Sequence, residues 1–244
     1  MIKFLLFPIT FIQISLIASW TVICGLGGII LRVFVGTKKA NQFFGHYVFS
    51  PFVLAVCGVR VKVKGKENIP NYPAIYVANH ASQLDIPILF LAVNRPLFYV
   101  AKMELKKVPF LGHYMRVMGM IFVDRKNRER AMENLRTAVQ DISNGKSIAA
   151  FPEGTRSKSE EIMQFKRGAF VIAHEGKIPV VPVVIKGSRK ALPSGSYFIR
   201  PATVEVEILS VENSEVFFMM SPEGMANYTR ERIAAHKLER ESNS

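Results

Sequence analysis

Residues 74–85 read Ala-Ile-Tyr-Val-Ala-Asn-His-Ala-Ser-Gln-Leu-Asp: five apolar residues run straight into Asn79-His80, and Asp85 opens the next apolar stretch, Ile86 to Leu91. A short, continuous apolar run predicts a strand buried on both faces, as at the centre of a sheet covered by helices. The following stretch is expected to be a helix, so the segment reads as strand, loop, helix.

The same alternation extends outward from this segment in both directions. Val59, Val61 and Val63 alternate with Arg60, Lys62 and Lys64, which predicts a strand with one basic, wet face. Further strands are expected at Leu97 to Ala101, Met120 to Val123, Ser147 to Phe151, Val180 to Ile185 and Thr203 to Leu209. Arg128 to Ser143 carries Ala131, Met132, Leu135, Ala138, Val139 and Ile142 at helical spacing and stops at Asn144-Gly145. Ser221-Pro222-Glu223 opens a last helix, with Ser as cap and Pro in the first turn. The expected fold is α/β: a mixed, mostly parallel sheet flanked by helices, with an N-terminal hydrophobic helical membrane attachment. In such sheets the ligand site forms outside the carboxyl ends of the strands, and His80 leaves one of those ends.

The first sixty residues differ from the rest. No charged side chain lies between Lys3 and Arg32, whereas spanning a bilayer takes about 20 mostly apolar residues. Pro8, Gln13 and the cluster Gly25, Gly27, Gly28 predict a bent helix over Leu5 to Ile30, and Phe43 to Val59 is a second, less apolar stretch. One Lys precedes the run and no convincing small-x-small cleavage site follows within the usual reach, so a retained anchor is favoured over a signal peptide. The expected division is residues 1–58 for attachment and 59–244 for an α/β domain. Arg32, Lys38 and Lys39 predict a body on the cytoplasmic side of the cell inner membrane, whether the helix spans or pairs with the second stretch in one leaflet.

The 244 residues carry 32 Lys and Arg against 19 Asp and Glu, a formal net charge of +13. The partner is therefore expected to be anionic, and the apolar N-terminus points to anionic membrane lipid. No recognised nucleic-acid module accompanies the basic residues, so no nucleic acid is expected. A basic, membrane-tethered binding protein without turnover remains the reading from a different class. Cys24 and Cys57 both lie inside apolar stretches, leaving neither a disulfide framework nor metal-ligand spacing.

Three constellations follow strand ends. His80 and Asp85, five residues apart, fall in one loop, where a carboxylate on one ring nitrogen leaves the other free to take a proton from an alcohol. The same spacing equally suits a strand-end His and an Asp capping a helix. Phe151-Pro152-Glu153-Gly154-Thr155-Arg156-Ser157 combines a Gly, a hydroxyl and an Arg fork, groups that suit a phosphate as well as they suit a turn, and it is not a Walker loop. Val123-Asp124-Arg125, preceded by Lys102-Met103-Glu104-Leu105, offers further positive charge at the same mouth, or plain surface residues. No Ser or Cys lies in a nucleophile-elbow context, so no covalent acyl-enzyme is suggested.

In this order the segments resemble the glycerolipid acyltransferase family. Its N-H-x4-D motif matches Asn79 to Asp85, its Arg-bearing motif Ile121 to Arg125, its F-P-E-G-T-R-S motif Phe151 to Ser157, and its V-P-V motif Val181-Pro182-Val183. The match covers roughly Gly65 to Gly187 and is most similar to the bacterial 1-acylglycerol-3-phosphate branch of the family. The resemblance implies transfer of a long-chain acyl group from acyl-CoA or acyl-carrier protein to the sn-2 hydroxyl of lysophosphatidic acid, giving phosphatidic acid. His80 would be the general base and Asp85 its orienting partner. Lys102, Arg125, Glu153, Gly154, Thr155 and Arg156 would receive the acceptor's glycerol phosphate, and no metal or cofactor would take part. Another lysophospholipid, an ornithine-type lipid or glycerol 3-phosphate is the alternative acceptor.

Overall fold

In the computed structural model, which describes residues 2–123 and 137–238, all seven expected strands join one sheet. They are β1 (Val59–Lys64), β2 (Ile75–Ala78), β3 (Leu97–Lys102), β4 (Ile121–Val123), β5 (Ser147–Ala150), β6 (Val180–Lys186) and β7 (Ala202–Ile208). Their order across the sheet is β1-β7-β6-β2-β5-β3-β4. Every neighbouring pair is parallel except β6 with β7. β2 is buried throughout and central, as its unbroken apolar run predicts, while β1 is an edge strand with Arg60, Lys62 and Lys64 exposed.

The two faces of β2 belong to two apolar cores. Tyr76 and Ala78 pack with Ile88 and Leu89 of helix α3 (Asp85–Ala92) and with Val53 and Leu54 of α2 (Ser50–Val56). Ile75 and Val77 pack with Phe170 and Ile172 of α6 (Gly168–Gly176) and with Met225 and Ile233 of α9 (Pro222–Leu238). Helix α4 (Leu111–Val117) follows β3; α5 is described over residues 137–143, so the first part of the helix expected from Arg128 lies outside the described residues. Between β6 and the C-terminal helix lie α7 (Ser188–Ala191) and α8 (Glu215–Met219).

Pro182 sits inside β6, where a proline normally breaks a ladder. The Leu209 N–H donates to its carbonyl at 2.9 Å, so the missing Pro N–H points toward β7 beyond the last paired residues, Val183 and Ile208. The one bond a proline cannot donate thus falls at the end of the β6–β7 ladder, and antiparallel pairing resumes between Val180 and Glu212.

The N-terminal helix α1 (Ile2–Gln42) bends, but at Gly36 and not in the Gly25–Gly28 cluster. Gly36 has φ 79° and ψ 164°, a region essentially confined to glycine. Past the bend, a π-helical turn (Phe43–Phe49) and α2 fold back along α1. Gln13 donates to the Val56 carbonyl at 2.8 Å, Trp20 stacks on Phe52 at 4.3 Å, and a Cβ at Gly27 would stand 2.5 Å from the Phe44 ring. These pairs run in opposite directions along the chain, so the two apolar stretches form an antiparallel helical hairpin. The cluster glycines serve close packing instead: Tyr114 lies over Gly25 and Gly28. Phe7–Val56 is apolar and long enough to cross a membrane, and the outer face of α1 leaves Phe7, Phe11, Ile30 and Phe34 mostly exposed.

Candidate active site

The carboxyl ends of β2, β5, β3 and β4 lie side by side, and their loops bring the sequence-distant motifs together. Asn79 begins the site by extending the sheet with its side chain. Its Oδ1 accepts from the Ile185 N–H at 2.8 Å and its Nδ2 donates to the Ile185 carbonyl at 2.9 Å. The β2–β6 pairing thus continues one residue past Ala78, and His80 leaves from a rigid point.

His80 Nδ1 and Asp85 Oδ2 are 2.8 Å apart. The same oxygen accepts the Ala81 and Ser82 N–H groups at 2.7 and 2.8 Å, and Asp85 is fully buried. An acceptor receiving two backbone donors requires Nδ1 to carry the proton, which leaves Nε2 with a lone pair. The imidazole stacks on Phe151 at 4.2 Å and 17°, and 15 % of its side chain reaches solvent. Asp85 lies in the first turn of α3; its carboxylate turns back on its own loop.

Glu153 is buried beneath this loop. One carboxylate oxygen accepts the His80 backbone N–H at 2.6 Å and the other accepts the Met163 N–H at 3.1 Å. Burial raises its pKa, opposed by those two N–H groups. The Ser157 N–H donates to the His80 carbonyl at 2.8 Å, a second tie between the loops. Gly154 takes φ 74°, and Thr155 is exposed.

Arg156 lies on the wall of an open cleft of about 550 Å³ between α1 and the sheet domain. Ile14, Ile17, Phe49, Val53, Ile86 and Leu192 form apolar wall, and Gln83 and Leu84 bring the His80–Asp85 loop to it. Arg156 is the one charged residue on that wall among the described residues. Lys102 is exposed at the end of β3, paired in register with Val123, and Arg125 lies outside the described residues. Among the described residues no group of three or more His, Cys, Asp or Glu is placed to hold a metal ion.

The sequence profile of the Acyltransferase family matches residues 60–186, which hold every loop just described. The chain belongs to that acyltransferase family. It is 37% identical over 171 residues to the 1-acyl-sn-glycerol-3-phosphate acyltransferase of Saccharomyces cerevisiae, covering 68% of this chain and 56% of that one. It is 30% identical over 178 residues to the enzyme of the same name from Limnanthes douglasii, covering 72% and 63%. The chain thus spans little more than half the length of these curated relatives. The crystal structure of the 1-acyl-sn-glycerophosphate (LPA) acyltransferase PlsC from Thermotoga maritima superposes with a TM-score of 0.81 at 29% identity, covering 99% of this chain and 98% of that one.

Within this member of the family, residues that the motifs do not single out complete the site. Phe151 opens the second motif, yet nothing in its spacing marks it as the surface under His80. Tyr99 donates to the Ile86 carbonyl at 2.9 Å and stacks beyond Phe151 at 6.1 Å, tying α3 to β3. Arg230, on α9, donates to the Ile162 carbonyl at 2.9 Å and to the Met163 carbonyl at 3.2 Å, and so fixes the segment whose N–H holds Glu153. No local signal connects Arg230 to His80, because the connection runs through backbone groups.

Proposed function

We propose that this acyltransferase moves a long-chain acyl group from a thioester of coenzyme A or acyl-carrier protein to the sn-2 hydroxyl of 1-acylglycerol 3-phosphate. The observation that carries the chemistry is the His80–Asp85 pair. A buried carboxylate fixes the ring tautomer and leaves Nε2 as the base. Nε2 takes the hydroxyl proton as the oxygen attacks the thioester carbonyl carbon; the C–S bond then breaks and the departing thiolate receives that proton from the imidazolium. The phosphatidate and a free thiol leave, and His80 returns to its starting state.

The acceptor assignment rests on the cleft, which pairs an apolar wall with one guanidinium. An acyl chain lying along α1 and a phosphate at Arg156 satisfy both, with Lys102, Thr155, Gly154 and Arg125 completing the phosphate site. Glu153 serves the acceptor indirectly, by bracing the His80 loop with both oxygens. Neither a metal nor a cofactor takes part in this proposed transfer. The division of labour falls near residue 58: the hairpin attaches to the cytoplasmic face of the inner membrane and the α/β domain catalyses. The names of the relatives, all 1-acylglycerol-3-phosphate acyltransferases, support the same acceptor.

The test uses detergent-solubilised full chain with a panel of long-chain thioesters and acceptors. Lysophosphatidate is expected to be the best acceptor, and His80→Ala to lower turnover by about a hundredfold to ten-thousandfold with an unchanged thermal midpoint. A His80→Ala variant that remains active rules out the base, and equal rates with uncharged acceptors rule out the phosphate role of Arg156.

A further inference from the structure

Phe110 is 78% exposed, with Val108 and Leu105 partly exposed beside it and Lys106 and Lys107 exposed in the same loop. Its backbone sits at φ 60° and ψ −55°, and the Leu111 N–H donates to the Pro109 carbonyl at 2.6 Å. This is a three-residue γ-turn of the positive-φ kind, rare and strained for a residue with a Cβ. Such strain clusters at functional sites, and a loop that only faced water would gain nothing from it.

The surroundings of the loop indicate what the ring meets. Leu111 lines the cleft together with Ile14 and Ile17, and Tyr114 lies over Gly25 and Gly28, so α4 runs alongside α1. The loop therefore stands beside the stretch of α1 whose Phe11, Ile12 and Leu16 are exposed. Tyr197, also 78% exposed, stands on the wall of the same cleft. Apolar surface thus continues from the hairpin to the mouth of the cleft, and two lysines accompany it. Apolar side chains that enter the acyl boundary, with lysines held at the headgroups, make an interfacial anchor on an anionic bilayer.

We infer that the Lys106–Phe110 loop is a second membrane-insertion point, separate from the hairpin, which sets the mouth of the cleft at the lipid surface. Continuity with the exposed face of α1 favours lipid over an acidic protein as the occupant.

Trp20 is the chain's one tryptophan, so a full-length Trp20→Phe, Phe110→Trp protein reports from position 110 alone. On vesicles of phosphatidylglycerol and phosphatidylcholine its emission is expected to shift to the blue and to be quenched by lipids brominated along their chains. Phe110→Gly should keep or raise the thermal midpoint, since glycine adopts positive φ freely, while vesicle affinity falls by about tenfold or more. A tryptophan at 110 that stays solvent-like on vesicles that have bound the protein overturns the inference, as does a Phe110→Gly variant that binds like the parent. A blue shift produced by an acidic carrier protein without lipid, and absent on vesicles, reassigns the loop to protein docking and also overturns it. Neither arm needs turnover, so failure here is distinct from failure of the acyl-transfer reading.

Discussion

His80 is positioned through its ring and through its backbone by different groups. Asp85 and Phe151 hold the ring, whereas Glu153 and Ser157 hold the N–H and the carbonyl. Glu153 is costly to keep ionised there, because burial raises its pKa. The native state therefore binds a proton that the unfolded chain releases near the ordinary value of 4.5, and stability falls as pH rises from that value through the raised one. Glu153→Gln carries no such titration. Its thermal midpoint is expected to gain on the parent's as pH rises across this window, on top of a constant loss from the missing acceptor; parallel curves would show that the carboxyl is not so perturbed. The motif around Glu153 was legible in the sequence as a polar turn after a strand. Its inward direction was not, because direction depends on where the N–H groups of His80 and Met163 lie.

At the scale of elements, α9 acts on the site without touching it. Arg230 pins residues 162 and 163, Lys237 pairs with Glu160, and Gln164 bonds to Asn227. Hydrogen bonds from a charged donor contribute about 1.5–3 kcal/mol each when partly buried. Arg230→Ala is therefore expected to lower the thermal midpoint by several degrees, and to speed amide hydrogen exchange over residues 159–166 with a smaller increase over residues 79–85. An effect confined to α9 itself would break the proposed chain through Glu153. The helix was predicted from Ser221-Pro222-Glu223, and it forms there; its task was invisible because the positions it clamps lie over sixty residues upstream. The hairpin shows the complementary failure. Glycines at 25, 27 and 28 suggested the bend, but the same residue type also permits close helix packing, and packing is what they do.

For the whole molecule, a net charge of +13 and an apolar hairpin act at different ranges. In the proposed attachment, charge would draw the protein to an anionic surface over about one Debye length, roughly 10 Å at 0.1 M salt, and apolar burial would then hold it. Raising salt should slow association with anionic vesicles while leaving dissociation of bound protein little changed, as stopped-flow measurements on both phases can show; salt-independent association would remove charge from the first step. Within the described residues, the seven strands, the buried character of β2, the wet face of β1 and the loops that carry His80, Asp85 and Arg156 are all legible in the linear sequence. These follow from side-chain periodicity and turn chemistry, which act over a few residues. Tertiary structure alone decided that β5 lies beside β2, that the helical hairpin folds at Gly36, that Glu153 turns under His80, and that Phe110 stands outside. Each is a choice among partners distant in the chain, and only packing the whole chain at once selects one.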